Sequence, residues 1–306
     1  MRYPHQMRLR DSFLLTDDGR IISYAQCGED ILIARFFDNK LVGTYVDVGA
    51  NHPINDSVTK NLYDAGWSGI NIEPEPNFFR ELESMRPRDL NLKVGASSIN
   101  GEAEYFQIDS NLDLSTFDKD KADQLREEGN SVSVHHVPIM TLHSILKQHT
   151  LGDFIDLIKI DVEGYELEVL KGIDFGSSVF NLMVIEVGIN KIEINQFLSS
   201  VGYQERYFDG LNSWYTPTNS PSISSFQPPS PVLDWYHPYI YLKQIDAQHQ
   251  LIMRLMADSQ CSECKAKRMK RTKIRESVRM IKNIPLMVNL LKILRLPIRR
   301  FLRNLH

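Results

Sequence analysis

Three acidic residues close two of the most apolar stretches of the chain: Asp161 and Glu163 in LIKIDVEGYELEVLKG, and Glu186 in LMVIEVG. Carboxylates brought together at strand ends can serve as a general base or can ligate a divalent cation through oxygen. Asp161 is the preferred base, and Asp161, Glu163 and Glu186 are the candidate metal set. The competing reading of Glu163 and Glu186 is helix N-capping, or pairing with Lys159 or Lys191. Earlier, YVDVGAN places Asp47, Gly49 and Asn51 at the tip of another apolar run, and GINIEP places Glu73 at the tip of the next, 26 residues after Asp47. A glycine at such a tip lets backbone approach a ligand, and an acid at the second tip can grip a ribose diol through two hydroxyl donors. His52 beside the glycine turn, and His135 and His136 at the end of a polar stretch, are further candidate bases at neutral pH, although a lone histidine is more often structural.

Such residues need a scaffold that brings strand ends to one rim. Between Leu41 and Val187 the runs GTYVDVGA, GINIEP, LNLKVGA, IDLIKID and NLMVIEV alternate with segments whose apolar residues recur every three or four positions. Runs apolar on both faces are those of a parallel sheet covered by helices, so the expectation is a doubly wound α/β domain. YQERYFDGLNSWYTP, with its Asp-Gly turn, reads as an antiparallel hairpin added at the end of that sheet. Asp109–His136 is long and polar, and is expected either to cover the strand ends as a lid or recognition loop or to be a solvated helix and loop.

The glycine turn discriminates between cofactors. A pyrophosphate binder wants G-x-G-x-x-G, whereas Gly49 is followed by Ala50, Asn51, His52 and Pro53. A ligand with a ribose and a charged amino-acid end, but no phosphate, fits better, which points to S-adenosylmethionine. Glu73 and Pro74 at the second tip and Ala96 after the third run complete the expected cofactor contacts.

SYAQCGEDILIARFF, YVDVGANHPINDSVTKNLYDAGWSGINIEPEP, IDLIKIDVEGYELEVLKGIDF and YFDGLNSWY together resemble the FkbM family of S-adenosylmethionine-dependent methyltransferases, over roughly residues 19–243. The resemblance implies a Rossmann-like class I methyltransferase fold, with a mostly parallel seven-stranded sheet, that methylates hydroxyl groups, often on sugars of polysaccharides or glycosylated metabolites. It places Asp47, Gly49 and Asn51 in the cofactor loop, Glu73 on the ribose, and Asp161 with Glu163 at the methyl-transfer rim. Two departures bear on the acceptor side: His143 stands where family members commonly carry an acid, and GINKIEI is shorter than the family pattern. A non-catalytic scaffold of the same fold and a nicotinamide-dependent dehydrogenase are the competing functions, the second disfavoured by the missing glycines.

At 306 residues, 42% hydrophobic and 24% charged, the chain is long enough to bury a sizeable core. Residues 1–18 read as an N-terminal extension, 19–218 as the methyltransferase domain, 219–238 as a Ser/Pro-rich segment, and 239–306 as a helical, basic, amphipathic tail. Lys265–His306 holds 14 Lys and Arg against one acid, Glu276, although the whole chain has a formal charge of −4. The acidic body argues against nucleic acid as a partner. The basic tail suits an anionic membrane surface, or alternatively an oligomerisation helix or a docking tail. Three cysteines, Cys27, Cys261 and Cys264, are too few for a disulfide framework, and the single C-x-x-C lacks the second pair that zinc requires. No signal peptide or membrane-spanning run is expected, so the protein is expected in the cytoplasm, with the tail on the inner face of the membrane.

Overall fold

The computed structural model describes residues 9–251 apart from 39, 150–153, 189, 221–225, 245 and 248–249. The chain divides into two compact units, Met1–Ile240 and Tyr241–His306. The sheets, both cores and the cavity described below belong to the first. The basic tail and the Cys261/Cys264 pair lie outside the described residues. The expected helix beginning near Tyr239 falls on them only in part, with residues 239–244 helical.

Seven strands build the central sheet: β1 (Thr44–Val48), β2 (Ser68–Ile72), β3 (Leu90–Leu92), β4 (Phe154–Ile160), β5 (Val179–Glu186), β6 (Tyr203–Phe208) and β7 (Asn212–Pro217). Their order is β6-β7-β5-β4-β1-β2-β3. Strands β1 to β5 are mutually parallel, and β7 joins β5 antiparallel with β6 as its hairpin partner. The order reverses between β1 and β4, and in a parallel sheet that reversal opens a crevice beyond the strand ends.

Alternation along the buried strands sorts their side chains into two cores. Val46 lies in register with Ile70 and Ile158, and Val48 with Ile72 and Ile160, all on one face with Leu142, Ile145 and Leu170 from its helices. Tyr45 and Leu157 point to the other face, with Trp67, Trp214 and the helix Glu29–Phe36. Both faces are sealed, which is why the runs carry apolar residues without polar alternation.

Two parts of the chain depart from simple alternation. LNLKVGA divides, since Leu90–Leu92 ends the central sheet while Gly95–Ala96 starts a second, three-stranded sheet with Val132–Met140 and Gly101–Ile108. The polar stretch after Ile108 forms a 3₁₀ turn at Leu112–Leu114 and a helix at Lys119–Glu127, then returns as the strand Val132–Met140. Asp118 caps that helix by accepting from the amides of Asp120 (2.9 Å) and Lys121 (3.1 Å), and Ala122 and Leu125 anchor it on its buried side. Leu9 and Phe13 are buried in the second core, and Tyr236–Pro238 pairs in parallel with Ile21–Ser23, so chain on both flanks of the sheet packs onto it. Among the described residues, no helix is long and apolar enough to cross a membrane.

Candidate active site

A cavity of about 660 Å³ opens at the strand reversal. Its wall includes every residue singled out for cofactor, base or metal at the strand tips: Asp47, Gly49, Asn51, His52, Glu73, Pro74, Ala96, Asp161, Glu163 and Glu186. His135 and His136 are not among the lining residues. They lie exposed on Val132–Met140, opposite Tyr105 and Glu104, so that strand pairing removes them as bases for this site.

The turn after β1 is closed upon itself. The amides of Gly49 and Ala50 donate to Ile72 O (3.0 and 3.2 Å), Asn51 N to Glu73 Oε2 (2.8 Å), and His52 N to Asn51 Oδ1 (2.6 Å). Those of Ile54 and Asn55 both donate to His52 Nδ1 at 3.0 Å, and residue 53 is proline. Since each backbone amide can satisfy one acceptor well, none from Gly49 to Asn55 remains for a phosphate, so the turn excludes a pyrophosphate cradle by its hydrogen bonds as well as by its missing glycines. Gly49 adopts φ +71°, and a Cβ there would lie 1.9 Å from the carbonyl oxygen of Asp161. The expected reason for this glycine was approach to a ligand, but the immediate constraint is the backbone of β4's tip.

Glu73 is buried, and its second oxygen accepts from Glu75 N at 2.8 Å. Burial pushes its carboxyl up to about 7 despite these amide donors. Asp47 accepts from the Thr59 hydroxyl at 2.7 Å through Oδ2, while its Oδ1 is buried without a hydrogen-bond partner. The nearest cation to Oδ1 is Lys159 Nζ, at 3.6 Å. That lysine is buried on β4, donates to Gly49 O at 2.8 Å and lies 3.3 Å from Asp161 Oδ2.

Asp161, with its side chain 36% exposed, faces Glu186. Burial alone would raise Asp161, but the Lys159 ammonium and a hydrogen bond from Glu186 hold it below the usual carboxylate value. Glu186 is pushed up to about 9, first by burial and then by Asp161 and its other acidic neighbours. The pair therefore shares one proton and one negative charge at neutral pH. Glu163, at φ +57°, pairs with Lys121 from the inserted helix, and its carbonyl oxygen accepts from the Thr116 hydroxyl at 2.9 Å. The direct ion pairs run elsewhere, Glu163 with Lys121 and Lys191 with Glu205 at 2.9 Å, while Lys159 reaches both Glu163 and Glu186 through charge at longer range.

Ligand atoms of Asp161, Glu163 and Glu186 lie within 4.8 Å of one another. That geometry could hold a metal ion, and a cation entering there would compete with Lys159 for Asp161 and with Lys121 for Glu163. His52 is reassigned. Its Nδ1 accepts two amides and its Nε2 lies 3.4 Å from Glu81 Oε2, so both ring nitrogens are engaged in holding the turn.

Several residues that build the site gave no warning in the sequence. Arg86, 1% exposed, donates to Pro53 O (2.7 Å) and to the hydroxyls of Ser57 (2.8 Å) and Thr59 (3.1 Å), fixing the segment behind the turn. From the insertion, Asp113 accepts from Asn51 Nδ2 at 3.0 Å, and Phe117 packs against Gly95, where a Cβ would lie 2.3 Å from its ring. Leu112, Asp113, Leu114, Ser115 and Phe117 all line the cavity, so the insertion covers the strand ends. Lys159 could have been suspected, since a lysine in mid-strand between apolar residues needs a buried counter-charge.

Strand order, antiparallel hairpin and a strand-tip cavity with an acid on the second strand but no phosphate cradle are the features of a class I methyltransferase domain. A family profile described as the Methyltransferase FkbM domain matches residues 47–205, just over half of the chain. The chain belongs to the FkbM methyltransferase family. Similar solved structures include a methyltransferase FkbM from Methylobacillus flagellatus KT, with 17% identity and a TM-score of 0.35, covering 57% of this chain and 43% of that one. A TehB-like SAM-dependent methyltransferase from Corynebacterium glutamicum shows 12% identity and a TM-score of 0.35, covering 62% and 87%. TrmK of M. capricolum, in complex with S-adenosyl-homocysteine, shows 9% identity and a TM-score of 0.32, covering 78% and 88%. Likeness at this level adds nothing to the topology already described. The chain spans less than half the length of the FkbM structure. No curated protein matches.

Proposed function

We propose that the protein is an S-adenosylmethionine-dependent O-methyltransferase that acts on a hydroxyl group of a sugar or glycan. The observation that carries this reading is a single cavity joining Asp47 and Glu73, at the tips of β1 and β2, to the Asp161–Glu186 pair at the tips of β4 and β5. Asp47 Oδ1, which accepts no hydrogen bond, favours a ligand that brings a cationic or N–H donor, and the satisfied turn amides disfavour one that brings phosphates. Glu73 would hold the ribose, with Pro74, Ala96 and Phe117 against the base, and the cofactor would supply a methyl group already activated on sulfur. This fit also disfavours the nicotinamide reading.

The protein's own work is then alignment, worth several kcal/mol, together with proton removal. Asp161 would accept the proton that the acceptor hydroxyl gives up as it is methylated. Lys159 keeps Asp161 ionised and Glu186 keeps it oriented. A weak carboxylate suffices, because the hydroxyl becomes strongly acidic only as the new bond forms. The scaffold alternative predicts binding without turnover. Calorimetric titration with S-adenosylmethionine and S-adenosylhomocysteine tests the cofactor. Mass spectrometry of the host's glycans, seeking a lost methyl increment when the protein is absent, tests the acceptor. Absence of binding to either ligand would sink the reading. The basic tail is proposed to hold this chemistry at an anionic, inner-face membrane surface where lipid-linked glycans are assembled, on the strength of its charge and apolar periodicity.

A further inference from the structure

We infer that the acceptor sugar carries no phosphate at its reacting end: the cavity admits neutral or ammonium-bearing saccharides and rejects sugar phosphates and nucleoside-diphosphate sugars. This deepens the methyltransferase reading and rests on it.

Among the described residues, seven carboxylic side chains line the cavity, Lys159 is its only lysine and it has no arginine. Lys159 is not free to receive an anion, since its Nζ is committed to Gly49 O, Asp47 and Asp161. Lys121, which also acts on Asp161, is held by Glu163. Even with Glu73 and Glu186 retaining their protons, Asp47, Asp113, Asp161 and Glu163 outnumber these two lysines. The glycine turn does not act as the other usual anion receptor, a turn of unpaired amides, because its N–H groups from Gly49 to Asn55 are all spent within the protein. Asp47 Oδ1 adds to the acidic character: it accepts no hydrogen bond, and Lys159 Nζ stands off from it at 3.6 Å. A phosphate entering here would lose its hydration and meet like charge in a medium that screens poorly, with nothing to replace its water.

The consequence is an order of reactions. Activated sugars carry phosphate next to the ring, so a glycosyl transfer that expels the nucleoside diphosphate must come first, and methyl transfer follows on a sugar already in glycosidic linkage. Phosphate far along a chain, outside the cavity, is not excluded.

Two measurements on the full-length protein test this. In the first, methyl-labelled S-adenosylmethionine is supplied with an extract of cells lacking the protein, supplemented with methyl glycosides, chitosan oligosaccharides, sugar 1-phosphates and uridine-diphosphate sugars, and the products are separated by anion exchange and treated with phosphatase. Label should fall in the unretained, phosphatase-insensitive fraction by at least about tenfold, the ratio that a like-charge penalty of roughly 1.4 kcal/mol already produces. Label mainly on phosphate-bearing sugars overturns the inference while leaving the methyltransferase reading intact. The second measurement needs no turnover: uridine diphosphate and inorganic pyrophosphate should fail to displace S-adenosylhomocysteine at millimolar concentration, and displacement at micromolar concentration overturns the inference. If S-adenosylmethionine and S-adenosylhomocysteine themselves do not bind, it is the underlying function that fails.

Discussion

Asp161 is a carboxylate kept ionised by a buried lysine, and this makes the Asp161→Asn variant informative. The amide is nearly isosteric but can neither take a proton nor balance Lys159. We expect kcat to fall by about 10²–10⁴-fold with affinity for S-adenosylmethionine changed far less, as read by single-turnover kinetics beside calorimetry. Glu73 and Glu29 are buried carboxyls whose charge is linked to folding. Burial pushes both up to about 7 from an ordinary value of 4.5, so the folded state binds their protons more tightly than the unfolded chain does. The ligand-free protein is therefore most stable below about pH 4.5 with respect to these groups, and loses that contribution as pH rises to about 7. Glu186, pushed up to about 9, extends the decline. Urea denaturation at a series of pH values should show stability falling across this window, with a shallower slope in Glu73→Gln. An unchanged slope would mean that Glu73 is not buried as described.

Among the elements, the tips of β1 and β4 touch through Gly49. In Gly49→Ala the new methyl meets a backbone oxygen, which cannot swing aside as a side chain would, and the residue is also left at a strained positive φ. The expected loss is more than about 3 kcal/mol, measured by chemical denaturation, with cofactor binding lost even where the protein still folds. Arg86 shows the same logic with polar groups. Arg86→Met strands the acceptors of the segment behind the turn and leaves Asp89, 3.9 Å away, without its buried counter-charge, for an expected cost of about 3–5 kcal/mol. Arg86→Lys should recover little of this, because one ammonium cannot span Pro53, Ser57 and Thr59 as a planar fork does. Full recovery by lysine would show that charge alone matters there.

For the whole molecule, charge is divided between an acidic body and a basic tail, and the two are separable by truncation. A chain lacking residues 265–306 should keep its cofactor affinity yet lose co-sedimentation with anionic vesicles, increasingly so at low salt where the intact protein binds best. Equal sedimentation of both forms would remove the membrane role from the tail.

The parallel sheet, its closing hairpin and the identity of the strand-tip residues are legible in the order of amino acids alone. These follow from local rules, because β-branched runs apolar on both faces must be buried on both faces, and in such sheets the residues just after each strand share one rim. Tertiary structure alone decided what those residues do to one another. His52 became a brace for its own turn, Glu163 found Lys121 from an inserted helix 42 positions earlier, and Gly49 answered to Asp161's backbone. Partners so far apart along the chain leave no periodic trace, and the charge state of a buried carboxyl depends on distances of a few ångströms that only the folded packing sets.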